Sequence, residues 1–431
     1  MWGSQSWLQP VFSRLSPEVA KASKSRLKRR CSHDWLPYLE AFNCAMSLAN
    51  RGVAGQRPAL RAPVRTYTSS CCAAPVGRAM QAAASLLGAT MFAMKARLSL
   101  LVLVVAAILP ATSLRELADA RGILIGAAVN PALLADQAYA DTLARDFNLV
   151  VAENVMKFGP TRPARDRWEF TAADKLVDFA QSHNMKVRGH NFVWHQQMPR
   201  WLTSGTFSSE EVAGILQDQI RAMLAHFKGK VFAWDVVNEA IDPDPPHGLR
   251  KTFWLEKLGP DYLDKAFRWA HEDDPDVKLF YNDYDADGMN AKSDAVYNLV
   301  RGLKARGVPI DGVGLQMHVT LKSAPTAEEL AANIRRLAAL GLDVHITEMD
   351  VRLHLPPTPE DLEAQAKVYA TVVGTCARTP GCKAVLTWGV NDAHSWIPGF
   401  QKGFGDALLF DAQSQPKAAR TAIEAALKLI P

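Results

Sequence analysis

VFAWDVVNE, residues Val231–Glu239, is an apolar run of strand length that ends in an amide and a carboxylate. Runs of the same kind recur at Ile123–Val129, Leu149–Val155, Lys186–Trp194, Lys278–Tyr284, Gly312–His318, Asp343–Val351 and Ala384–Val390. Longer segments with helical spacing lie between them. Ala172–Ser182 puts Leu176, Val177 and Ala180 on one side, and Ala327–Leu340 repeats Leu330, Ile334, Leu337 and Leu340. Near-continuous apolar strands alternating with helices predict an α/β protein whose parallel sheet is covered by helices. Eight such units in about 300 residues fit a closed (β/α)8 barrel in a single domain. No G-x-G-x-x-G turn follows an early strand, which removes the main reason to prefer an open doubly wound sheet.

Barrels of this kind carry their chemistry at the C-terminal ends of the strands, and the polar residues gather there. The second run ends in Glu153 and Asn154, with Lys157 just beyond. The third carries His190 and ends in Trp194 and His195, with Gln197 following. The fourth ends in Asn238 and Glu239, the fifth in Asn282, Asp283 and Tyr284, and the sixth in Gln316, Met317 and His318. The seventh carries Glu348 and Asp350, and the eighth Trp388, followed by Asn391 and Trp396.

Glu239 and Glu348 therefore flank one barrel mouth. Retaining glycoside cleavage needs two carboxyl groups about 5–5.5 Å apart, one acid/base and one nucleophile, held at different pKa values. His318 and Asp350 fall near Glu348, and a His held by an Asp favours the charged form of a carboxylate. Glu348 is thus expected as nucleophile, Glu239 as acid/base, and Asn238 as a partner for the sugar 2-OH. Taken singly, each residue has a simpler reading: a strand-end Glu is usually solvated, tryptophans are mostly buried, and histidines are often satisfied in the core. Neither H-E-x-x-H nor H-x-H occurs, so no metal and no cofactor is expected.

The front of the chain reads differently. Net charge is +5 overall, but residues 1–90 hold 12 Lys+Arg against 3 Asp+Glu, while residues 114–431 hold 35 against 41. An acidic main domain argues against nucleic acid as a partner. Lys95 and Arg97, the run Leu98–Leu109 and the small-residue exit through Ser113 make residues 94–113 an expected secretory signal, cleaved near Ala111 or Ser113. The 12-residue run is shorter than the roughly 20 residues a membrane-spanning helix needs, so no stable membrane association is expected after cleavage. Residues 1–93, with a basic cluster at Arg26–Arg30, then read as a doubtful extension or a start assigned too early. Residues 114–431 form the expected catalytic domain, a monomer, secreted or periplasmic. Cys31, Cys44, Cys71 and Cys72 lie in the doubtful segment. Cys376 and Cys382 form either a small oxidised loop or two buried thiols.

The motifs closely resemble glycoside hydrolase family 10, the endo-1,4-β-xylanases. Glu153–Lys157 is similar to E-N-x-M-K, Gly189–His195 to G-H-x-x-x-W-H, Trp234–Ala240 to W-D-V-V-N-E-A, and Ile346–Asp350 to I-T-E-x-D. Smaller likenesses are Gln316-Met317-His318, Thr387–Val390 and Leu408–Asp411. The likeness runs from about Leu114 to the C-terminus. It implies a xylan or xylo-oligosaccharide substrate, with Glu153, Asn154, Lys157 and Gln197 holding the sugar one unit from the cut on its non-reducing side. By the same likeness, His190, Trp194, Asn238, Gln316, Trp388 and Trp396 line the sugar being cleaved. His318 and Asp350 tune Glu348, Tyr284 contacts substrate, and Cys376 pairs with Cys382. Three departures stand out: Phe158 where the family has Trp, Asp285 where it has Asn, and an altered turn at Pro163–Trp168. They bear on subsite preference. A β-glucan, cellobioside or aryl glycoside substrate, and a catalytically dead sugar-binding barrel, are the competing expectations.

Overall fold

The computed structural model describes residues 112–430; the segment 1–93, the expected signal up to Ala111 and the four N-terminal cysteines lie outside the described residues. Eight parallel strands close on themselves: β1 (Leu124–Val129), β2 (Leu149–Ala152), β3 (Lys186–Val193), β4 (Ala233–Asn238), β5 (Lys278–Asp283), β6 (Gly312–Leu315), β7 (Asp343–His354) and β8 (Cys382–Thr387). Each pairs with its successor, and β8 returns to β1 through Leu124↔Ala384 to Ala127↔Thr387. This is the expected (β/α)8 barrel.

The runs read apolar because both faces of each strand are covered; every residue of β2 and β4 is buried. Ala128, Leu149, Val151, Ala384, Leu386 and Trp388 form one cluster apart from the larger core, which the helices share. The main helices are α1 (Leu114–Ala120), α2 (Gln137–Asp146), α3 (Thr171–Ser182), α4 (Ser209–Phe227), α5 (Tyr262–Asp273), α6 (Ala291–Ala305), α7 (Ala327–Ala338), α8 (Pro359–Arg378) and α9 (Ala418–Lys428). Helix α4 shows how they form. Ser208 and Glu211 make a capping box. Val212, Ile215, Leu216, Ile220, Met223, Leu224 and Phe227 then bury one stripe, so truncating Leu216 to Ala would cost about 2–5 kcal/mol.

At the chain's near end Ser113 caps α1 in a box with Glu116. The buried Asp146 accepts from Leu114 N (3.1 Å) and from Arg420 (2.8 Å), and Arg420 also donates to the Thr112 carbonyl (3.2 Å). Of the two cleavage points read from sequence, the one after Ala111 leaves this cap whole. Cys376 at the end of α8 and Cys382 at the start of β8 form a disulfide, with Cα atoms 5.2 Å apart. No helix among the described residues is long and apolar enough to cross a membrane.

Most strands stop short of the expected ends, and in two of them the backbone turns where the polar residues begin. Glu239 (φ 58°) and Met317 (φ 66°), which fall within the fourth and sixth runs, occupy the left-handed region, which strand pairing excludes. The first strand ends at Val129 as expected, and the seventh runs past Val351 to His354, with irregular register between Ile346 and Met349. Its extension pairs with a short strand, His318–Thr320, matching His318 to Asp350.

Candidate active site

Glu239 follows the last residue of β4, in a conformation that non-glycine residues adopt rarely. Two contacts hold it there. Its own N–H donates to Asn282 O (2.9 Å), and the Tyr281 hydroxyl accepts from the next two amides, Ala240 N (3.1 Å) and Ile241 N (3.2 Å). Tyr281 in turn donates to the buried Asp283, which Lys292 also contacts (2.8 Å). The carboxylate, 8% exposed, accepts from Trp194 Nε1 on Oε2 (2.9 Å). On Oε1 it accepts from Asn238 Nδ2 (3.1 Å) and Gln316 Nε2 (3.1 Å). All three donors are neutral.

Glu348 lies on β7 with different partners. Asn282 Nδ2 donates to Oε1 (2.7 Å) and His318 Nε2 to Oε2 (3.3 Å), while His318 Nδ1 contacts Asp350 Oδ2 at 2.7 Å. Trp396 Nε1 donates to the same Asp350 oxygen (2.9 Å). Burial pushes the His318 imidazole down, but the adjoining Asp350, by charge and hydrogen bond, and then Glu348 raise it to about 10. Burial likewise pushes the Glu348 carboxyl up. The His318 hydrogen bond, the charges of His190 and His318 and the Asn282 amide outweigh it, and hold the group at about 2. One carboxylate is thus locked in its charged form by a cationic donor. Among the described residues no cation hydrogen-bonds the other.

The two carboxylates are joined through two amides. Asn238 donates to Glu239 and accepts from Asn282 Nδ2 (2.8 Å), which also donates to Glu348; Thr347 Oγ1 fixes Asn282 Oδ1 at 2.7 Å. Register explains the pairing, since Asn238 and Asn282 face each other across β4 and β5. Gly314 makes room for it: a Cβ there would lie 2.1 Å from Asn282 Oδ1. Sequence reading named Asn282 at its strand end and gave it no role. It also passed over Asp235 and Arg188, one charge of each sign in neighbouring apolar runs, which was a signal that they pair. They form a buried two-point ion pair, and Asp235 Oδ2 also contacts His190 Nδ1 (2.9 Å). His190 lies edge-on to Trp388, ring centres 5.4 Å apart.

The remaining expected residues come to the same mouth. Asn154 accepts from Lys157 Nζ (3.0 Å) and Gln197 Nε2 (3.0 Å) and donates to Glu153 (3.1 Å). The Lys157 ammonium lies over the rings of Trp194 (4.7 Å) and Trp388 (5.8 Å). Burial draws its pKa down, against the pull of Glu348, Glu153 and Glu239. Trp396 packs edge-on to His318, ring centres 5.0 Å apart. Tyr284 OH accepts from Arg250 (2.7 Å), whose Nε donates to Glu239 O (3.1 Å), so Arg250 is a further residue of this mouth that sequence reading did not name.

Comparison with known proteins gives the family. Residues 113–426 match glycosyl hydrolase family 10. The chain belongs to that family. Endo-1,4-beta-xylanase B of Thermotoga neapolitana is 41% identical over 314 residues, covering 72% of this chain and 90% of the relative. The crystal structure of native xylanase 10B from Thermotoga maritima has a TM-score of 0.71 and 45% identity, over 73% of this chain and 98% of that one. Xylanase 10B from Thermotoga petrophila RKU-1, solved in complex with xylobiose, has a TM-score of 0.72 and 44% identity, over 74% and 98%. Two departures from the family pattern now have places. Phe158 is buried, stacked on Trp254 with ring centres 6.0 Å apart, so its ring is used in packing. Asp285 is exposed, on the loop after β5.

Proposed function

We propose that this family 10 hydrolase cuts internal β-1,4-xylosidic bonds of xylan with retention of configuration, with Glu348 as nucleophile and Glu239 as acid/base. The asymmetry between the two carboxylates carries the reading. A group held at about 2 stays ionised through the working pH range and is too weak a base to activate water efficiently. That suits attack on the anomeric carbon better than the general-base role an inverting mechanism would require. Glu239, whose carboxylate partners are neutral donors, takes the other role, giving a proton to the leaving oxygen and later taking one from water.

In the first step Glu348 forms a bond to C1 while Glu239 protonates the departing glycosidic oxygen. In the second, Glu239 deprotonates a water that displaces Glu348. Asn238 Nδ2 now serves Glu239 (3.1 Å), so an incoming 2-OH competes for that donor, coupling sugar binding to release of the acid/base. Glu153, Asn154, Lys157 and Gln197 supply donors and acceptors for the neighbouring sugar. Trp194, Trp388 and Trp396 supply apolar faces for the C–H surfaces of the sugar being cleaved. The xylan substrate is supported by the names of the relatives and by the xylobiose complex of the Thermotoga petrophila protein. Export, leading to a secreted or periplasmic monomer, is part of the same proposal and rests on the signal-like front segment.

Initial rates on xylan, cellulose and mixed-linkage glucan test the substrate. Comparable rates on glucan would overturn xylan specificity. NMR of fresh product tests the stereochemistry, and a first product of inverted configuration would overturn the mechanism.

A further inference from the structure

Between Gln316, which donates to Glu239 (3.1 Å), and His318, which contacts Glu348 (3.3 Å), stands Met317, with its backbone in the left-handed region. One turn thus delivers a donor to each carboxylate. Its own peptide N–H goes to neither. It donates to Asp287 Oδ1 (3.0 Å), a buried carboxylate on the loop after β5. On the other side of the same residue, Met317 O accepts from Asp350 N (3.3 Å).

The Asp287 loop is itself anchored. Asn333, buried on α7, donates to the carbonyls of Ala286 (2.7 Å) and Asp287 (3.2 Å). Beyond the carboxylate lies a cavity of about 310 Å³, with Asp285, Asn290, Ser323 and Glu329 in its wall. Burial and Asp285 push Asp287 up to about 7, while His318, the Met317 N–H and Lys292 pull it down. Nothing in the reaction calls for a titrating group here. A buried carboxylate whose hydrogen bond runs to the centre of the donor turn is explained by what it holds.

We infer that Asp287 is a positioning residue that fixes the Gln316–Met317–His318 turn, and through it orients both catalytic carboxylates at once. The inference rests on the roles proposed above for Glu239 and Glu348. A turn left without this anchor shifts both donors, and a displacement of about 1 Å at a catalytic group can cost on the order of 100-fold.

The test uses the full chain on two substrates: xylan, which needs acid assistance to the leaving group, and an activated dinitrophenyl xylobioside, whose glycosylation step, read as kcat/KM, needs the nucleophile but no acid. Asp287→Ala is expected to lower kcat about 10-fold or more on both, with KM within a factor of two. Asp287→Asn, which keeps an acceptor for Met317 N–H, is expected to recover kcat to within about threefold. If Asp287→Ala does not fold, Asn333→Ala, which loosens the same loop from outside the site, is expected to give a smaller kcat loss on both substrates. Loss on xylan alone would overturn the claim of joint control, and so would an unchanged kcat or a change confined to KM. Activity of the unsubstituted enzyme on both substrates is the control: its absence would count against the proposed function, whereas its presence with indifferent variants counts only against Asp287.

Discussion

Replacing His318 by Asn removes from Glu348 both a hydrogen bond (3.3 Å) and a neighbouring positive charge. The carboxyl stands at about 2 against an ordinary value of 4.5, which corresponds to about 3 kcal/mol in favour of the charged form. His318 supplies two of the four lowering influences; His190 and Asn282 remain. Losing its share should raise the acidic limb of the kcat/KM profile by about 1–2 pH units. The assay is kcat/KM on a soluble xylo-oligosaccharide from pH 2 to pH 8, which reports groups of the free enzyme. Intrinsic fluorescence at each pH separates titration from unfolding, because a lowered carboxylate adds stability above its unfolded pKa that is lost as pH falls toward 2. If activity falls equally at every pH and the acidic limb stays where it was, His318 does not tune Glu348 and the assignment of roles loses its basis.

Other variants probe the rest of the site. Glu239→Ala should reduce kcat on xylan by ~10²–10⁴-fold, whereas on a dinitrophenyl xylobioside kcat/KM, which reports the step needing no acid, should fall much less than kcat, which still needs Glu239 as base; steady-state rates on the two substrates check this. Asn282→Ala strips partners from Glu348, Asn238 and Thr347 together, and at roughly 1–3 kcal/mol for such a loss kcat/KM should fall about 10–100-fold in steady-state assays. Asp287, raised from 3.8 to about 7 on folding, binds a proton more tightly in the folded chain, so its contribution makes stability fall as pH rises from about 4 to about 7. Asp287→Asn removes that burden. Its melting temperature should therefore exceed the parent's at pH 8 by more than it does at pH 4, and thermal unfolding at the two values checks the sign.

The barrel was legible because strands covered on both faces must be apolar, and eight such runs alternate with helices. Their ends were less so. Glu239 and Met317 take left-handed backbone, and an apolar pattern carries no sign of where pairing stops. The two glutamates and their tryptophans stood out in the sequence as one set of strand-end residues and through the family resemblance, and the fold brings them to one mouth. Asn282 could not. Its role depends on facing Asn238 across β4 and β5, on Gly314 leaving space beside it, and on Thr347 turning its amide. Register sets all three. The Asp235–Arg188 pair was visible as two charges in apolar runs, but only folding shows that Asp235 also reaches His190. The departure at Phe158 was visible in the sequence, but that its ring is buried and stacked on Trp254 depends on the fold.

Trapping the intermediate tests the assignment of Glu348 most directly. The enzyme is inactivated with a 2-deoxy-2-fluoro xylobioside bearing a good leaving group, digested, and its labelled peptide sequenced by mass spectrometry. The sugar should be found esterified to Glu348. A label on Glu239, or complete turnover with no covalent adduct at any carboxylate, would contradict the account.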